Sequence, residues 1–142
     1  MTCDYDIRKF LECSKGDKLS CIPIIVEIVA LSKIKNERGV SWLEEINHEI
    51  KNGFLRKGIK NVIRGTTNGY TSEQLRNIML TTSVYSFNTG VELLEEVIII
   101  EGVLALYESK STAYIKDFLV SHLGIELEKE AVDIIRNELG EL

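Results

Sequence analysis

The segment FLRKGIKNVIRG, residues 54–65, puts Phe54, Leu55, Ile59, Val62 and Ile63 at three- and four-residue steps, with Arg56, Lys57, Lys60 and Arg64 between them. At 3.6 residues per turn the two sets separate onto opposite faces, whereas the period of a strand would mix them. The segment therefore reads as an amphipathic helix with one face apolar and the other cationic.

Outward from it, the same periodicity recurs along the chain. Before it, Ser41 and Glu44 have the spacing of a capping box for a helix from Trp42 to about Lys51, and Asn52-Gly53 signals a turn. Further back, Ser20 is a candidate cap for a helix reaching about Arg38, with Pro23 in the first turn and Gly39 past its end. Asp4 to Cys13 carries an apolar stripe of Ile7, Phe10 and Leu11 and reads as a short helix, broken by SKGDKLS. After the central segment, GTTNGY reads as a loop. Thr71 and Gln74 then have capping-box spacing for a helix beginning with Leu75, Ile78 and Met79. Thr81 to Gly90 is rich in β-branched and hydroxyl residues and reads as a frayed end, a kink or a connector. Helical patterning returns from Val91 to Tyr107, from Thr112 to His122 behind Ser111, and from about Glu126 to Leu139.

No segment sustains period-two alternation, and the chain has one proline. The expected fold is all-α: a single compact bundle of about seven or eight helices over residues 1–142, with sequential helices mostly antiparallel. Its parts are an N-terminal helix and linker (1–19), helices over 20–80, helices over 91–123, and a last helix over 126–140.

Of its 142 residues 44% are hydrophobic and 27% charged, enough to bury a core and unlike a disordered chain. The most apolar runs, Ile22–Leu31 and Val97–Leu106, are about half of the ~20 residues a spanning helix needs, and each contains a glutamate. The N-terminus lacks the layout of a secretion signal, so the expectation is a cytoplasmic protein without membrane insertion. Cys3, Cys13 and Cys21 are odd in number and without metal-ligand spacing, which suggests free thiols.

Charge is unevenly placed. The net charge is −5, yet Lys51, Arg56, Lys57, Lys60 and Arg64 fall in one stretch free of acids. Residues 126–142 hold six acids against Lys129 and Arg136. The cationic helix suits a solvated surface or an anionic protein partner, and the acidic chain as a whole disfavours nucleic acid. Glu92, Glu95 and Glu96 suit a solvent-facing helix start. Glu27 and Glu101 lie inside apolar runs and are expected at the edges of their stripes, where burial costs least. His48 and His122 have no ligand spacing near them, and no catalytic, cofactor-binding or metal-binding motif is present.

Two blocks resemble a known family. EIVALSKIKNERGVSWLEEINHEIKNGFLRKGIKNVIRGTTNGYTSEQLRNIM, residues 27–79, is similar to the cytoplasmic loop of the MotA family, the A subunit of the bacterial flagellar stator. LLEEVIIIEGVLALYESKSTAYIKDFLVSHL, residues 93–123, is similar to the cytoplasmic tail of that family, with Glu101-Gly102 matching its Glu-Gly pair. In the family a transmembrane helix pair separates the blocks and another precedes the first, while here only Thr81–Gly90 lies between them. The resemblance implies the cytoplasmic task without ion conduction: engaging a protein, as the family engages the rotor component FliG. It points to Lys35, Arg38, Glu44, Arg56, Lys57 and Lys60 as partner-binding residues, of which Glu44, Arg56 and Lys57 match family positions. The basic position before the glycine turn is Asn36 here, with Lys35 and Arg38 beside it. Helices this apolar are also compatible with a homo-oligomer. The alternative reading is a small-molecule-binding or enzymatic helical domain with a pocket near Glu27 and Glu101.

Overall fold

The structure, a computed structural model, describes residues 9–142. It is all-α, with no strand among the described residues. Residues 9–11 are helical, and the rest of the helix expected from Asp4 lies outside the described residues, as does Cys3. The elements that follow are α1 (Lys15–Leu19), α2 (Ile22–Arg38), α3 (Val40–Ile46), α4 (Gly53–Asn68), α5 (Ser72–Val84), α6 (Val91–Tyr107), α7 (Thr112–Ser121) and α8 (Glu128–Leu139). Short 3-10 turns occupy Asn47–Glu49 and Ile125–Leu127. No helix among the described residues is long and apolar enough to cross a membrane.

The bundle forms around α6. Its residues Leu94 and Glu96 through Leu106 are buried, so it has no polar face and needs neighbours on every side. α2, α4, α5 and α7 supply them, and from α2 to α8 each helix also packs on the next in sequence. α2 is the second core element. Ile25, Ile28 and Val29 are fully buried, and it contacts α3, α7 and α8 as well as α6.

Two glycines set how closely these helices approach. A Cβ on Gly102 would lie 2.8 Å from Ile28 Cγ2 and 3.1 Å from Leu119 Cδ1, so α6 meets α2 and α7 through a bare backbone. A Cβ on Gly58 would lie 2.9 Å from Val103 Cγ2, which seats α4 on α6.

Several boundaries differ from those expected. SKGDKLS does not break the chain but folds as α1, because the Ser14 hydroxyl accepts the Asp17 N–H as an N-cap. Ser20 closes α1, donating its hydroxyl to the Asp17 carbonyl, and does not cap α2. Ser41 and Glu44 form no capping box, because α3 starts directly after Gly39 (φ +87°) and Ser41 is already inside its first turn. GTTN belongs to α4, with the Thr66 and Thr67 hydroxyls donating back to Val62 and Ile63 carbonyls and Gly69 closing the helix in the left-handed region. The Thr71–Gln74 box forms as expected, with both reciprocal bonds in place. So does the Ser111 cap of α7. Thr81–Gly90 splits between the end of α5 and a connector, which is held where the Gly90 N–H donates to the Phe10 carbonyl at 2.7 Å.

Candidate functional site

A concave feature lined mainly by polar side chains lies where α3 turns into α4. Were α3 to continue to Lys51, no residues would remain to reverse the chain before Asn52 caps α4. The chain instead leaves the α-helix at Ile46, makes the Asn47–Glu49 turn, and extends through Ile50 and Asn52 (ψ +117° at both). Asn52 Oδ1 then accepts the Leu55 N–H at 3.0 Å, while its amide donates to Glu95 Oε1 at 2.8 Å. Ile50 and Leu55, both buried, pin the two ends of this corner to the core.

The corner leaves an open cleft of about 560 Å³ lined by Glu44, Asn47, His48, Gly53, Arg56, Lys57, Lys60, Asn61 and Arg64. The apolar face of α4, with Leu55, Ile59 and Val62 buried, packs inward and fixes the opposite face outward. Arg56, Lys57, Lys60 and Arg64 are all exposed, and none has a carboxylate within ion-pairing distance among the described residues. Arg56 donates to the Ile50 carbonyl at 3.0 Å and Lys57 to the Thr82 hydroxyl at 2.8 Å, both neutral acceptors.

The structure thus gathers four of the six residues singled out from sequence, Glu44, Arg56, Lys57 and Lys60, into one cleft. The other two lie elsewhere. Lys35 is half-buried and donates to the Leu106 carbonyl at 2.8 Å and the Ser109 hydroxyl at 2.6 Å, closing the end of α6; burial lowers its pKa. Arg38 lies 4.6 Å over the ring of the exposed Trp42, where its cation faces the π system. Sequence reasoning missed Arg64 as a lining residue and both asparagines, although Arg64 shares the four-residue step of Arg56 and Lys60. Asn47 and Asn61 carry no signal in isolation, because an asparagine on a helix looks the same whether it faces a cleft or water.

The acidic residues in apolar surroundings are resolved differently from expectation. Glu101 is not at the edge of its stripe; it is 5% exposed and forms a bidentate pair with Arg76 of α5, at 2.6 and 3.3 Å. Glu27 is half-buried, and desolvation raises its pKa. Neither residue lines the cleft. Of the three glutamates at the start of α6, only Glu92 faces solvent. Glu95 is bound by Asn52, and the buried Glu96 accepts from the Ser83 hydroxyl and the Asn88 amide. His48 is exposed on the rim, and His122 packs edge-on against Phe118 with Nδ1 3.0 Å from the Phe118 carbonyl. Cys13 and Cys21 are free thiols, and burial, with a smaller effect of Glu95, pushes Cys21 up to about 12.

Comparison with family models, with curated proteins and with solved structures gives no match. No cluster of metal-ligating side chains occurs among the described residues.

Proposed function

We propose that this chain is a non-catalytic protein-interaction module, similar to the cytoplasmic part of the flagellar stator A subunit, that binds a protein partner in the cytoplasm through the cationic face of α4. Arg56, Lys57 and Lys60 supply the charge and Glu44 the opposite rim. The observation that carries this reading is the set of four exposed cations converging on one cleft without a carboxylate partner among the described residues. Such a set raises association rate and fixes orientation toward an acidic surface. Lys35 has a structural task in this reading, and the Arg38–Trp42 pair extends the surface past the α2–α3 corner. The two stator-like sequence blocks make the rotor protein FliG the first partner to test.

The test is a titration of the purified chain against FliG from the same cell, over a range of salt. Binding that weakens with salt and is lost in the Arg56→Glu/Lys57→Glu variant is expected. Binding of equal strength in that variant, or no binding at low salt, would refute the assignment.

A further inference from the structure

A groove of about 440 Å³ opens between α5 and α6, beside the connector that joins them. Leu93, Val97 and Ile100 line it from one face of α6, at four- and three-residue steps. Leu80 and Val84 line it from α5, and Phe87 from the connector, with Phe10 alongside. Ser83 and Asn88 also line it, but the Ser83 hydroxyl and the Asn88 amide are spent on the buried Glu96. Among the described residues no charged side chain lines the groove, in a chain that is 27% charged.

The rim of this groove carries apolar surface that the fold does not use. Phe87 is 80% exposed, Tyr85 73%, Val84 61% and Phe10 56%. Phe87 also has φ +55°, a left-handed conformation that bulky residues rarely adopt. Glycine takes that angle without strain, so chain reversal after α5 does not require a phenylalanine there. The ring is nevertheless held in place. It stands edge-on to Tyr85 with centroids 6.2 Å apart. The backbone around it is fixed by the Phe87 N–H donating to the Val84 carbonyl at 3.3 Å and the Gly90 N–H to the Phe10 carbonyl at 2.7 Å.

We propose that this groove is the contact surface of a two-fold homodimer, in which Phe87 of each copy enters the groove of the other. A projecting ring and an apolar groove on the same face are what a self-complementary contact needs. Charge points to the same occupant. Two chains of net charge −5 repel, and they approach most cheaply where neither brings a charged side chain. Area is sufficient as well. At the ~200 Å² that a large aromatic side chain can bury, the exposed fractions of these four residues leave about 500 Å² per copy. Two copies then cover about 1,000 Å², the lower bound for a specific interface. No α4 residue lines the groove, so this surface is separate from the cationic face and neither reading rests on the other.

The experiment is sedimentation equilibrium of the full chain in reducing buffer, from about 1 to about 500 µM. The mean mass is expected to rise from 16.1 kDa toward twice that value, with half-association on the order of 10–100 µM, in keeping with a small interface. Added salt is expected to tighten the pairing, because it screens the repulsion between two acidic chains. That sign is opposite to the one expected for docking at α4. Phe87→Gly removes the ring and suits the left-handed backbone. Val84→Lys sets a charge at the groove near the C-terminus of α5, where a cation suits the helix dipole. Each is expected to keep the helical circular dichroism of the parent and to weaken pairing about tenfold or more. Arg56→Glu/Lys57→Glu is expected to pair as the parent does. A mass of 16.1 kDa at every concentration, a mass that climbs past two copies, or pairing that survives both groove substitutions would overturn the proposal. So would a chain that stays monomeric while octyl glucoside, below its micelle threshold, shifts the amide resonances of Val84, Phe87 and Val97, since the groove would then belong to a small apolar ligand.

Discussion

Replacing Arg76 by methionine is expected to destabilise this protein far more than its position near the surface suggests. Its side chain is 28% exposed, but that of Glu101, whose carboxylate it serves, is only 6% exposed and receives both its hydrogen bonds from Arg76. The Arg76→Met change would leave that carboxylate buried without a counter-charge, which typically costs about 3–5 kcal/mol. The low end applies here, because one edge of the pair reaches water. Glu101→Gln is milder: Arg76, already near solvent, can hydrate, and the remaining loss is mainly hydrogen bonding, about 1–2 kcal/mol. The double variant Arg76→Met/Glu101→Leu removes both charges together and is expected to be near neutral, or more stable than the parent. Urea unfolding followed by circular dichroism measures all three, as shifts in midpoint at constant slope. The loss in the single Arg76→Met variant is a large fraction of the roughly 5–15 kcal/mol that holds a domain folded. An Arg76→Met variant within about 1 kcal/mol of the parent, or a double variant as unstable as that single one, would refute the assignment of a buried, mutually dependent pair.

Four further outcomes are expected. Gly102→Ala places a methyl 2.8 Å from Ile28 Cγ2, and the overpacking, about 1–3 kcal/mol, exceeds the ~1 kcal/mol that alanine gains over glycine within a helix, so the thermal midpoint falls. In a Cys3→Ala/Cys13→Ala background, Cys21, fully buried and with its pKa near 12, does not react with a thiol reagent at pH 8 until denaturant is added. Glu27, whose folded pKa is raised by desolvation, binds its proton more tightly in the folded state; its contribution to stability is therefore full below the unfolded value of about 4.3 and falls as pH rises through the window above it. Glu27→Gln flattens that part of the stability–pH profile and raises stability at pH 7. Lys60→Glu stabilises the fold, by about 1 kcal/mol across its two four-residue pairings, while abolishing binding of the acidic partner.

Fold class was legible because helical spacing is local: apolar residues at three- and four-residue steps from Ile22 to Ile135 map onto the observed core with few exceptions. Caps that rest on side chains at a fixed local separation, the Thr71–Gln74 box and the single Ser111 hydroxyl, were legible for the same reason. Ser41–Glu44 has identical spacing and forms nothing, because the backbone at Gly39 decides where α3 starts and no side-chain pattern reports that angle. The cationic face of α4 was visible in sequence, and its cleft was not. The cleft depends on α3 ending at Ile46, a consequence of chain reversal before Asn52. The placement of Glu101 escaped the sequence as well. Its partner Arg76 lies on another helix, twenty-five residues away, and only the contact between α5 and α6 unites them.

Charge is handled in two ways within one chain, and the contrast supports reading α4 as a binding face. Inside, Glu101 is neutralised by Arg76, and Glu96 is held by two neutral donors. Outside, the acidic α8 and its flank satisfy Arg136 through Asp133 at 3.7 Å and Glu141 at 2.9 Å, and supply no partner to α4. The α4 cations stand at the four-residue spacing at which like charges repel on a helix, by about 0.2–0.5 kcal/mol for each pair. A glutamate at position 60 would relieve two such pairs at once and is compatible with the exposed site. Lysine at that position makes α4 less stable than glutamate would. Folding alone does not favour that repulsion, since it raises the free energy of the unliganded protein. An acidic surface docked against this face lowers it.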